Sequence, residues 1–448
     1  MDTSTLDEMC ELIADCPHST PEWTETGVIV LRNQNIKNGR LDISDPSYTD
    51  EEHFAHRIKR AAPRAGDIVF TREAPMGDVC MIPEGLRCCL GQRQVLLRPK
   101  TDVNGKYLLF ALQSPAVQHE ISWNEGTGST VSNVRIPVLK ELKIPRHPGS
   151  EDQIAEVLSS LSDKIDINRR INQTLEQMAQ ALFKSWFVDF DPVKAKIAAK
   201  QESRDPLRAA MSAISGKTDA GLDQLPPEQY QQLAATAALF PDEMVDSELG
   251  EIPNGWVVEP LSKMIQIVGG GTPKRSEANY WGGDVLWFSV KDVPSDGDVW
   301  VVDTEEKITS LGLQKSSTKL LPVGATIISA RGTVGKLAMV GKEMAMNQSC
   351  YGIIGASGIG SCFNYFNLSE AVETLKRNTH GAVFDTITQT TFETVTCIKP
   401  PNKQLETFEL QVKPLLDEIR SSVIQNRTLA TLRDTLLPKL LSGELAVN

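Results

Sequence analysis

The sequence lacks the features of a membrane or secreted protein. No apolar run approaches the roughly 20 residues that a transmembrane helix needs. The opening stretch, MDTSTLDEMCELIADC, is acidic where a secretory signal is basic and then apolar. The eight cysteines include no Cys-x-x-Cys spacing, so we interpret them as reduced thiols and expect no metal site. The sequence therefore predicts a cytoplasmic protein.

Basic residues are also in deficit. The chain of 448 residues has 46 lysines and arginines against 58 aspartates and glutamates, which gives a formal net charge of −12. A protein that binds nucleic acid through a general basic surface has the opposite balance. Any DNA contact must therefore be local, or shared with a basic partner.

Catalytic motifs are missing as well. We find no Asn- or Asp-Pro-Pro-Tyr motif, which adenine methyltransferases use to hold the flipped base. We also find no glycine-rich loop placed for S-adenosylmethionine and no spaced carboxylate and lysine set of a nuclease. The stretch ARGTVGKL at 330–337 approaches an ATP-binding loop, but Leu337 replaces the magnesium-binding hydroxyl and a strand-like segment follows. We expect the chain to catalyse nothing.

What the sequence does contain is an internal repeat. The segment GDIVFTREAPMG at 66–77 matches GATIISARGTVG at 324–335 in frame. Both have a glycine, an apolar run, a polar turn with an arginine, and a second glycine, and another short apolar run follows each. This pattern predicts a strand, a tight turn with glycine at positive φ and a returning strand in both halves of the chain.

A second repeat predicts two long helices. The pattern D-x-I followed by N-x-T-L occurs at 163–175 and again at 417–429 with identical spacing. Apolar residues three, four and seven positions apart form one narrow stripe in each copy, which is typical of a coiled-coil helix. Two unrelated surface helices are the alternative. The stripes are Ile154, Leu158, Leu161, Ile165, Leu175, Met178 and Leu182, and Phe408, Val412, Leu415, Ile419, Leu429, Leu432 and Leu436.

These repeats divide the chain into five segments. They are a globular region (1–148), a long helix (149–187), a connector (188–250), a second globular region (251–400) and a second long helix (401–448). The Ala-rich part of the connector, 229–239, predicts one short helix. The predicted fold class is α/β (α+β), with two similar globular domains joined by two long antiparallel helices that form a coiled-coil spacer with a pseudo-twofold internal repeat.

Longer segments of the chain resemble the DNA-specificity subunits of type I restriction-modification enzymes. These segments are LFKSWFVDFDP (182–192), LFPD (239–242), DSELGEIPNGW (246–256), GGGTP (269–273) and LLPKLLSGEL (436–445). ARGTVGKL itself resembles a strand-turn segment of the family's target recognition domains. The resemblance covers almost the whole chain.

The resemblance implies a role and a set of partners. Two target recognition domains would each read one half of a split, asymmetric sequence in double-stranded DNA, with the antiparallel helices as a spacer. Two methyltransferase subunits and the restriction subunits would dock on the chain. S-adenosylmethionine, ATP and magnesium are then expected on the partner subunits, with no cofactor in this chain and no membrane.

The length of the predicted helix agrees with that role. A helix from Glu151 to Phe187 would be about 55 Å long at about 1.5 Å per residue. That length corresponds to on the order of 15 base pairs at about 3.4 Å each. Two readers on such a spacer predict a bipartite target with an unread gap whose length follows the length of the helix.

Candidate base contacts are polar residues of predicted loops, because arginine and lysine read guanine while asparagine and glutamine read adenine. A phosphate contact or a solvated loop position is the alternative for each. The candidates are His18, Arg32, Asn33, Asn35, Arg72, Gln92 and Arg93 in the first region, and Thr272, Lys274, Arg275, Lys291, Arg331, Thr333, Lys336, Asn347 and Gln348 in the second. Candidate coiled-coil or subunit contacts are Leu158, Leu161, Ile165, Leu175, Leu182, Trp186, Val412, Leu415, Ile419, Leu429 and Leu436.

Two other functions remain open on the sequence alone. One is a self-contained DNA modification enzyme whose catalytic motif is not recognisable. The other is a coiled-coil assembly protein with no DNA role, which the paired recognition-like halves disfavour.

Overall fold

The structure is a computed structural model that describes residues 2–73, 75–123, 133–295, 297–356, 358–378 and 386–447. The chain divides into two compact units, one formed by 1–165 and 427–448 and the other by 166–426. Both long helices contribute residues to each unit. Within the described ranges, no helix is long and apolar enough to cross a membrane.

The first unit combines short strands with helices. Its strands are β1 (Asp2–Thr5), β2 (Cys10–Asp15), β3 (Val28–Leu31), β4 (Ile36–Lys37), β5 (Arg40–Leu41), β6 (Ser47–Thr49), β7 (Ile68–Thr71), β8 (Val79–Met81), β9 (Cys88–Leu90), β10 (Gln94–Pro99) and β11 (Lys143–Arg146). Its helices are α1 (Leu6–Met9), α2 (Glu51–Arg57), α3 (Gly105–Gln113), α4 (Pro115–Trp123), α5 (Ile136–Glu141) and the first part of the long helix α6 (Glu151–Phe187).

The connector folds into further helices where the sequence predicted one. They are α7 (Asp191–Gln201), α8 (Pro206–Ser215), α9 (Asp219–Asp223) and α10 (Pro227–Ala238). Capping residues explain the start of two of them. The Asp205 carboxylate accepts hydrogen bonds from backbone N–H groups in the first turn of α8, and the Thr218 hydroxyl accepts one from the first turn of α9. The connector also packs onto α6, because the Phe240 ring lies 5.1 Å from that of Trp186.

The second unit repeats the mixture of strands and helices. Its strands are β12 (Met244–Ser247), β13 (Gly250–Pro253), β14 (Val257–Pro260), β15 (Ile265–Gly269), β16 (Trp281–Phe288), β17 (Trp300–Val301), β18 (Lys307–Ile308), β19 (Thr326–Ser329), β20 (Leu337–Val340), β21 (Met344–Met346), β22 (Cys350–Gly355) and β23 (Thr396–Lys399). Its helices are α11 (Leu261–Met264), α12 (Ser310–Gln314), α13 (Ser361–Asn378), α14 (Gln389–Thr394) and α15 (Asn402–Ser442), the second long helix.

Strand pairing shows that the two units share one topology. The main sheet has the order β2-β10-β7-β8 in the first unit and β15-β22-β19-β20-β17 in the second. A smaller sheet has the order β6-β3-β9 in the first and β18-β16-β21 in the second, with β3–β9 and β16–β21 parallel. β1 pairs with β11 as β14 pairs with β23. The internal repeat is therefore confirmed at the level of strand order, with β17 as an additional strand in the second unit.

The two predicted hairpins are confirmed. β7 pairs antiparallel with β8, and β19 pairs antiparallel with β20. Gly77 and Gly335 close the turns with φ of +91° and +80°, a conformation that favours glycine. The Thr71 and Ser329 hydroxyls accept equivalent hydrogen bonds from the returning strands at 2.9 and 2.8 Å. The repeated spacing of the sequence thus reflects one repeated turn.

Both main sheets are buried on two faces. In the second unit Ile328 and Ile353 pack with the long helices, whereas Ile327 packs against the smaller sheet. In the first unit Phe70 faces the helices and Val69 the smaller sheet. Because successive side chains of a strand point to opposite faces, burial of both faces explains why these strands have unbroken apolar sequences.

The long helices pair in the antiparallel direction, as predicted. In the second unit Phe183 of α6 lies 5.9 Å from Phe408 of α15, and Asn168 of α6 hydrogen-bonds Asn426 at 2.8 Å. In the first unit Leu158 shares a core with Leu437 and Leu440. As residue numbers rise along α6, those of its partners on α15 therefore fall.

The apolar seam of these helices follows a seven-residue repeat. Leu158, Ile165, Ala179 and Trp186 of α6 are buried, as are Leu405, Val412, Ile419 and Leu440 of α15. The other predicted contacts Leu161, Leu175, Leu182, Leu415, Leu429 and Leu436 are half-buried. Met178 and Leu432 were wrongly assigned to the stripe, because they fall outside the seven-residue positions and are 54% and 45% exposed.

Polar residues interrupt the seam at equivalent positions of the two copies. Asn172 and Asn426 are both buried and occupy the same position of the repeat. The Asn172 amide donates to the Asp298 carboxylate at 3.0 Å, while the Trp300 indole N–H donates to the Leu416 carbonyl of α15. These bonds tie residues 298–300 of the second globular region to both helices. A buried polar residue in a coiled-coil seam also specifies the register.

We expect Asp298→Asn to stabilise the protein most at high pH. Burial raises the pKa of Asp298, although the Asn172 hydrogen bond and Arg169 oppose that effect. A carboxyl whose pKa is raised on folding lowers stability as the pH rises through the folded-state value. An asparagine amide keeps the acceptor and has no charge. Melting curves should show that the variant melts a few degrees above the wild type at pH 8, and that this difference shrinks towards pH about 4.

A gain that is the same at pH 4 and pH 8 would contradict this explanation. Asp417→Asn serves as the control, because the Asp417 side chain is 45% exposed and is paired with Lys413 at the surface of α15.

Candidate nucleic-acid interface

The loops of the second unit that carry candidate base contacts emerge at one end of its main sheet. The register pairs Gly269 with Tyr351, Ser329 with Cys350 and Ile328 with Leu337. The segments that follow β15, β19 and β21 must therefore lie side by side. We call residues 270–275, 330–336 and 347–349 the second loop face.

Backbone hydrogen bonds hold these segments together. The Gly271 N–H donates to the Met346 carbonyl at 3.0 Å, and the Ala330 N–H donates to Ser349 at 2.7 Å. The Thr272 hydroxyl hydrogen-bonds the Gln348 amide oxygen. A Cβ at Gly270 would lie 1.8 Å from the Asn347 carbonyl oxygen, so this close approach requires glycine. The GGGTP segment thus fixes Thr272 against the 347–349 turn.

The hairpin turn of the second unit presents exposed basic residues. Arg331, Thr333 and Lys336 are all exposed. In the part of the chain that the structure describes, the Arg331 and Lys336 side chains have no hydrogen bond or ion pair. Lysine and arginine side chains that extend from a tight turn are able to enter a DNA groove or contact phosphates.

The other candidates of the second unit differ in how they are held. Lys274 is exposed, and Lys291 forms a surface ion pair with Glu305 at 3.7 Å. The Arg275 guanidinium donates to both oxygens of Glu306 and stacks on Trp281. The Asn347 side chain accepts from the Ser349 N–H at 3.0 Å, so it shapes its own turn.

The first unit has an equivalent face. The register pairs Asp15 with Val95, Thr71 with Gln94 and Leu31 with Leu90, so the segments after β2, β3 and β9 meet at one end of the sheets. His18, Arg32, Gln92 and Arg93 lie there and are exposed or half-buried. The Gln92 amide donates to the His18 carbonyl at 3.0 Å. We call residues 16–20, 32–35, 72–73 and 91–93 the first loop face.

Three candidates of the first unit hold loops rather than face solvent. The Arg72 side chain is 13% exposed, and it donates to the Asp15 carboxylate at 2.9 Å and to the Val134 carbonyl. Asn35 is 5% exposed with both amide atoms bonded to backbone, and Asn33 donates to the Glu73 carbonyl. These bonds engage Nε and Nη1 of Arg72 and both amide atoms of Asn35, so the two side chains serve to hold the loops in place.

The repeat explains why Arg72 and Arg331 differ. Arg72 is in frame with Ala330, and Arg331 is in frame with Glu73. Thr71 and Ser329 occupy the same place in the two hairpins, so the two arginines lie one residue apart. One step along a strand reverses the direction of the side chain. Arg72 therefore points inward, whereas Arg331 points to solvent.

Aromatic residues beside the arginines were missed from the sequence. Trp23 is 47% exposed with the Arg32 guanidinium 5.4 Å from its ring, and Trp281 lies under Arg275. An exposed tryptophan close in sequence to an arginine was the available signal. No signal in the sequence pointed to Glu306, because it lies 31 residues from Arg275.

The geometry is unsuited to nucleotide or metal binding at the turn that resembled an ATP site. Residues 330–336 connect the antiparallel strands β19 and β20, and the segment after Lys336 is a strand rather than the required helix. Among the described residues, no group of His, Cys, Asp and Glu side chains is arranged to hold a metal ion. All eight cysteines are buried free thiols, and burial raises the pKa of Cys88 to about 12.

Comparison with known proteins identifies a family. The sequence profile described as the Type I restriction modification DNA specificity domain matches residues 1–177 and 253–413. The type I restriction enzyme HindI specificity subunit of Haemophilus influenzae is 36% identical over 310 residues, which cover 66% of this chain and 67% of the relative. The MjaIX specificity subunit of Methanocaldococcus jannaschii is 28% identical over 397 residues, which cover 85% and 78%.

A solved structure has the same fold. The type I restriction-modification S subunit from M. genitalium superposes with a TM-score of 0.51 at 13% identity and covers 98% of this chain and 95% of its own. At this identity the likeness concerns the fold alone.

We expect Arg331→Ala to weaken binding of the cognate duplex about tenfold, because a lost arginine–base contact costs about 1–3 kcal/mol. The melting temperature should not change, since the side chain is exposed. Arg72→Ala is the matched comparison: it breaks a largely buried ion pair and should lower the melting temperature. Both are measured by fluorescence anisotropy and thermal melting. Normal melting with unchanged affinity for Arg331→Ala would remove Arg331 from the interface.

Proposed function

The chain belongs to the type I restriction-modification DNA specificity family, and we propose that its two units each read one half of a split, asymmetric DNA sequence. As a specificity subunit it recognises DNA and leaves the chemistry to other subunits. The observation that carries the proposal is the repeated topology with unlike loop residues. Two copies of one sheet arrangement present their loop faces at equivalent strand ends.

The unlike residues support an asymmetric target. The first loop face presents His18, Arg32, Gln92 and Arg93, and the second presents Arg275, Arg331, Lys336 and Gln348. Because each base pair displays a different set of donors and acceptors in the major groove, two faces with different side chains select different sequences. The spacing between the two half-sites would be set by the paired helices α6 and α15.

The charge of the chain supports shared binding of DNA. A net charge of −12 disfavours a tight grip on phosphates by this chain alone. We propose that two methyltransferase subunits and the restriction subunits dock on it and supply most of the phosphate contacts. S-adenosylmethionine, ATP and magnesium would be bound by those subunits, and the assembled complex would act in the cytoplasm.

Reconstitution tests this division of labour. We expect the pure chain to transfer no methyl group when it is incubated with DNA and labelled S-adenosylmethionine, because it provides recognition alone. Methylation should appear when its methyltransferase subunit is added, and the methyltransferase subunit without this chain should not select a site. Scintillation counting of the recovered DNA gives the measurement.

Methyl transfer by the pure chain would contradict the proposal and favour a self-contained modification enzyme. The Arg331→Ala chain is a control with an intact fold, since it should support less methylation without loss of assembly.

A further inference from the structure

In the second unit, the Arg275 side chain of the loop face is held by two tryptophans and a glutamate. The Arg275 guanidinium carbon lies 3.9 Å from the centroid of the Trp281 ring and 5.2 Å from that of Trp287. The two indoles pack edge to face at 5.1 Å. An arginine stacked on tryptophan is attracted to the negative face of the ring, so the guanidinium plane is defined.

Hydrogen bonds fix this setting to the loop that carries Arg275. The buried Trp287 indole N–H donates to the Gly271 carbonyl at 3.0 Å, and the Trp281 indole N–H donates to Lys274 at 3.2 Å. Glu306 accepts from both terminal nitrogens of Arg275, with the Nη2 bond at 2.9 Å. The backbone of Glu306 accepts from the Trp287 N–H at 3.2 Å. Acid, indoles and loop therefore form one connected group.

Fold stability does not account for the group. The Arg275 and Glu306 side chains are 55% and 40% exposed, and exposed ion pairs add little to stability. What the group provides is order: a long side chain that is already fixed loses less entropy when it binds a partner.

The first unit places another arginine at the equivalent location. Strand β3 of the first unit corresponds to β16 of the second. Ser47 of β6 pairs with Val30 of β3, and Glu306 lies in the same way beside Trp287 of β16. Ser47 therefore corresponds to Glu306. The Arg32 guanidinium lies 3.5 Å from the Ser47 hydroxyl and 5.4 Å from the Trp23 ring centroid. Arg32 follows its strand, whereas Arg275 precedes its own. Both loop faces thus have an arginine over a tryptophan at the same location, although the two arginines come from different positions in the repeat.

We propose that Arg275 reads a guanine in the half-site of the second unit, with Glu306 and Trp281 as positioning residues. The inference rests on the proposed function and adds the base that is recognised. Guanidinium has five N–H donors, and Glu306 occupies the two terminal nitrogens from one side. The edge formed by Nε and one terminal nitrogen is able to donate to N7 and O6 of guanine.

The Glu306 carboxylate also makes a base a better partner for Arg275 than a phosphate. An arginine paired with glutamate carries little net charge, so its attraction to a phosphate is reduced. A planar donor pair with a fixed direction, in contrast, suits the planar edge of a base. Among the described residues, Lys274 and Lys336 have no acidic partner, and they are better suited to phosphates.

The test uses the full chain with its methyltransferase subunit on the duplex that this complex prefers. Each guanine of the duplex is replaced in turn by 7-deazaguanine, which lacks the N7 acceptor. We expect one guanine, in one half-site, whose replacement weakens the wild-type complex about tenfold. The same replacement should have no effect on the Arg275→Ala complex. The Glu306→Gln complex should bind duplexes with another base in place of this guanine nearly as well. The Glu306→Asp complex, which keeps a carboxylate, should retain part of the preference for guanine.

A matched control lies elsewhere in the chain. Arg87 pairs with both oxygens of Glu51 at 2.6 Å and stacks on Phe54 at 4.5 Å. It precedes β9, whereas the first loop face lies at the Leu90 end of that strand. Arg87→Ala removes the same chemistry away from the face, so base preference at both half-sites should be unchanged.

Several results would overturn the inference. Arg275→Ala would weaken all sequences alike and reduce the salt dependence if the residue bound a phosphate. A preferred half-site without a guanine sensitive to 7-deazaguanine would exclude base readout by Arg275. A wild-type complex with no preferred split duplex would instead refute the proposed function, and the inference with it.

Discussion

The structure depends on one shared hydrophobic core in each unit, in which the long helices and the main sheet bury their apolar residues together. In the second unit Trp186 and Phe408 of the helices share that core with Ile328 and Ile353 of the sheet. In the first unit Leu158 and Leu440 do the same with Phe70 and Val95. The sheet of a unit therefore cannot shift on its helices without opening a closely packed interior.

This packing links helix geometry to DNA reading. The loop faces emerge from strand ends, and those strands are fixed to helices that are joined by the buried hydrogen bond between Asn168 and Asn426. Residues 298–300 add direct bonds from the second globular region to both helices. A chain built in this way holds each loop face rigidly on its segment of the helix pair, which a protein that reads two separated half-sites requires.

The sequence predicted those parts of the fold that depend on local periodicity. The seven-residue repeat predicted both long helices, and the glycine spacing predicted both hairpins. Arg72 and Arg331 were treated as equivalent, although the frame of the repeat already places them one residue apart. Features that depend on strand pairing were not predictable. Asn35 was chosen as a base contact although it is buried. Glu306 meets Arg275 only because β18 pairs with β16.

The proposed function requires that one chain carry two different readers with a fixed gap between their targets. Long-read sequencing of methylated DNA, from cells that express this chain with its native methyltransferase subunit, measures this gap. We expect a split motif of two short, different sequences separated by a constant number of unread base pairs. A continuous short motif, or no new methylation with a methyltransferase subunit of demonstrated activity, would contradict it.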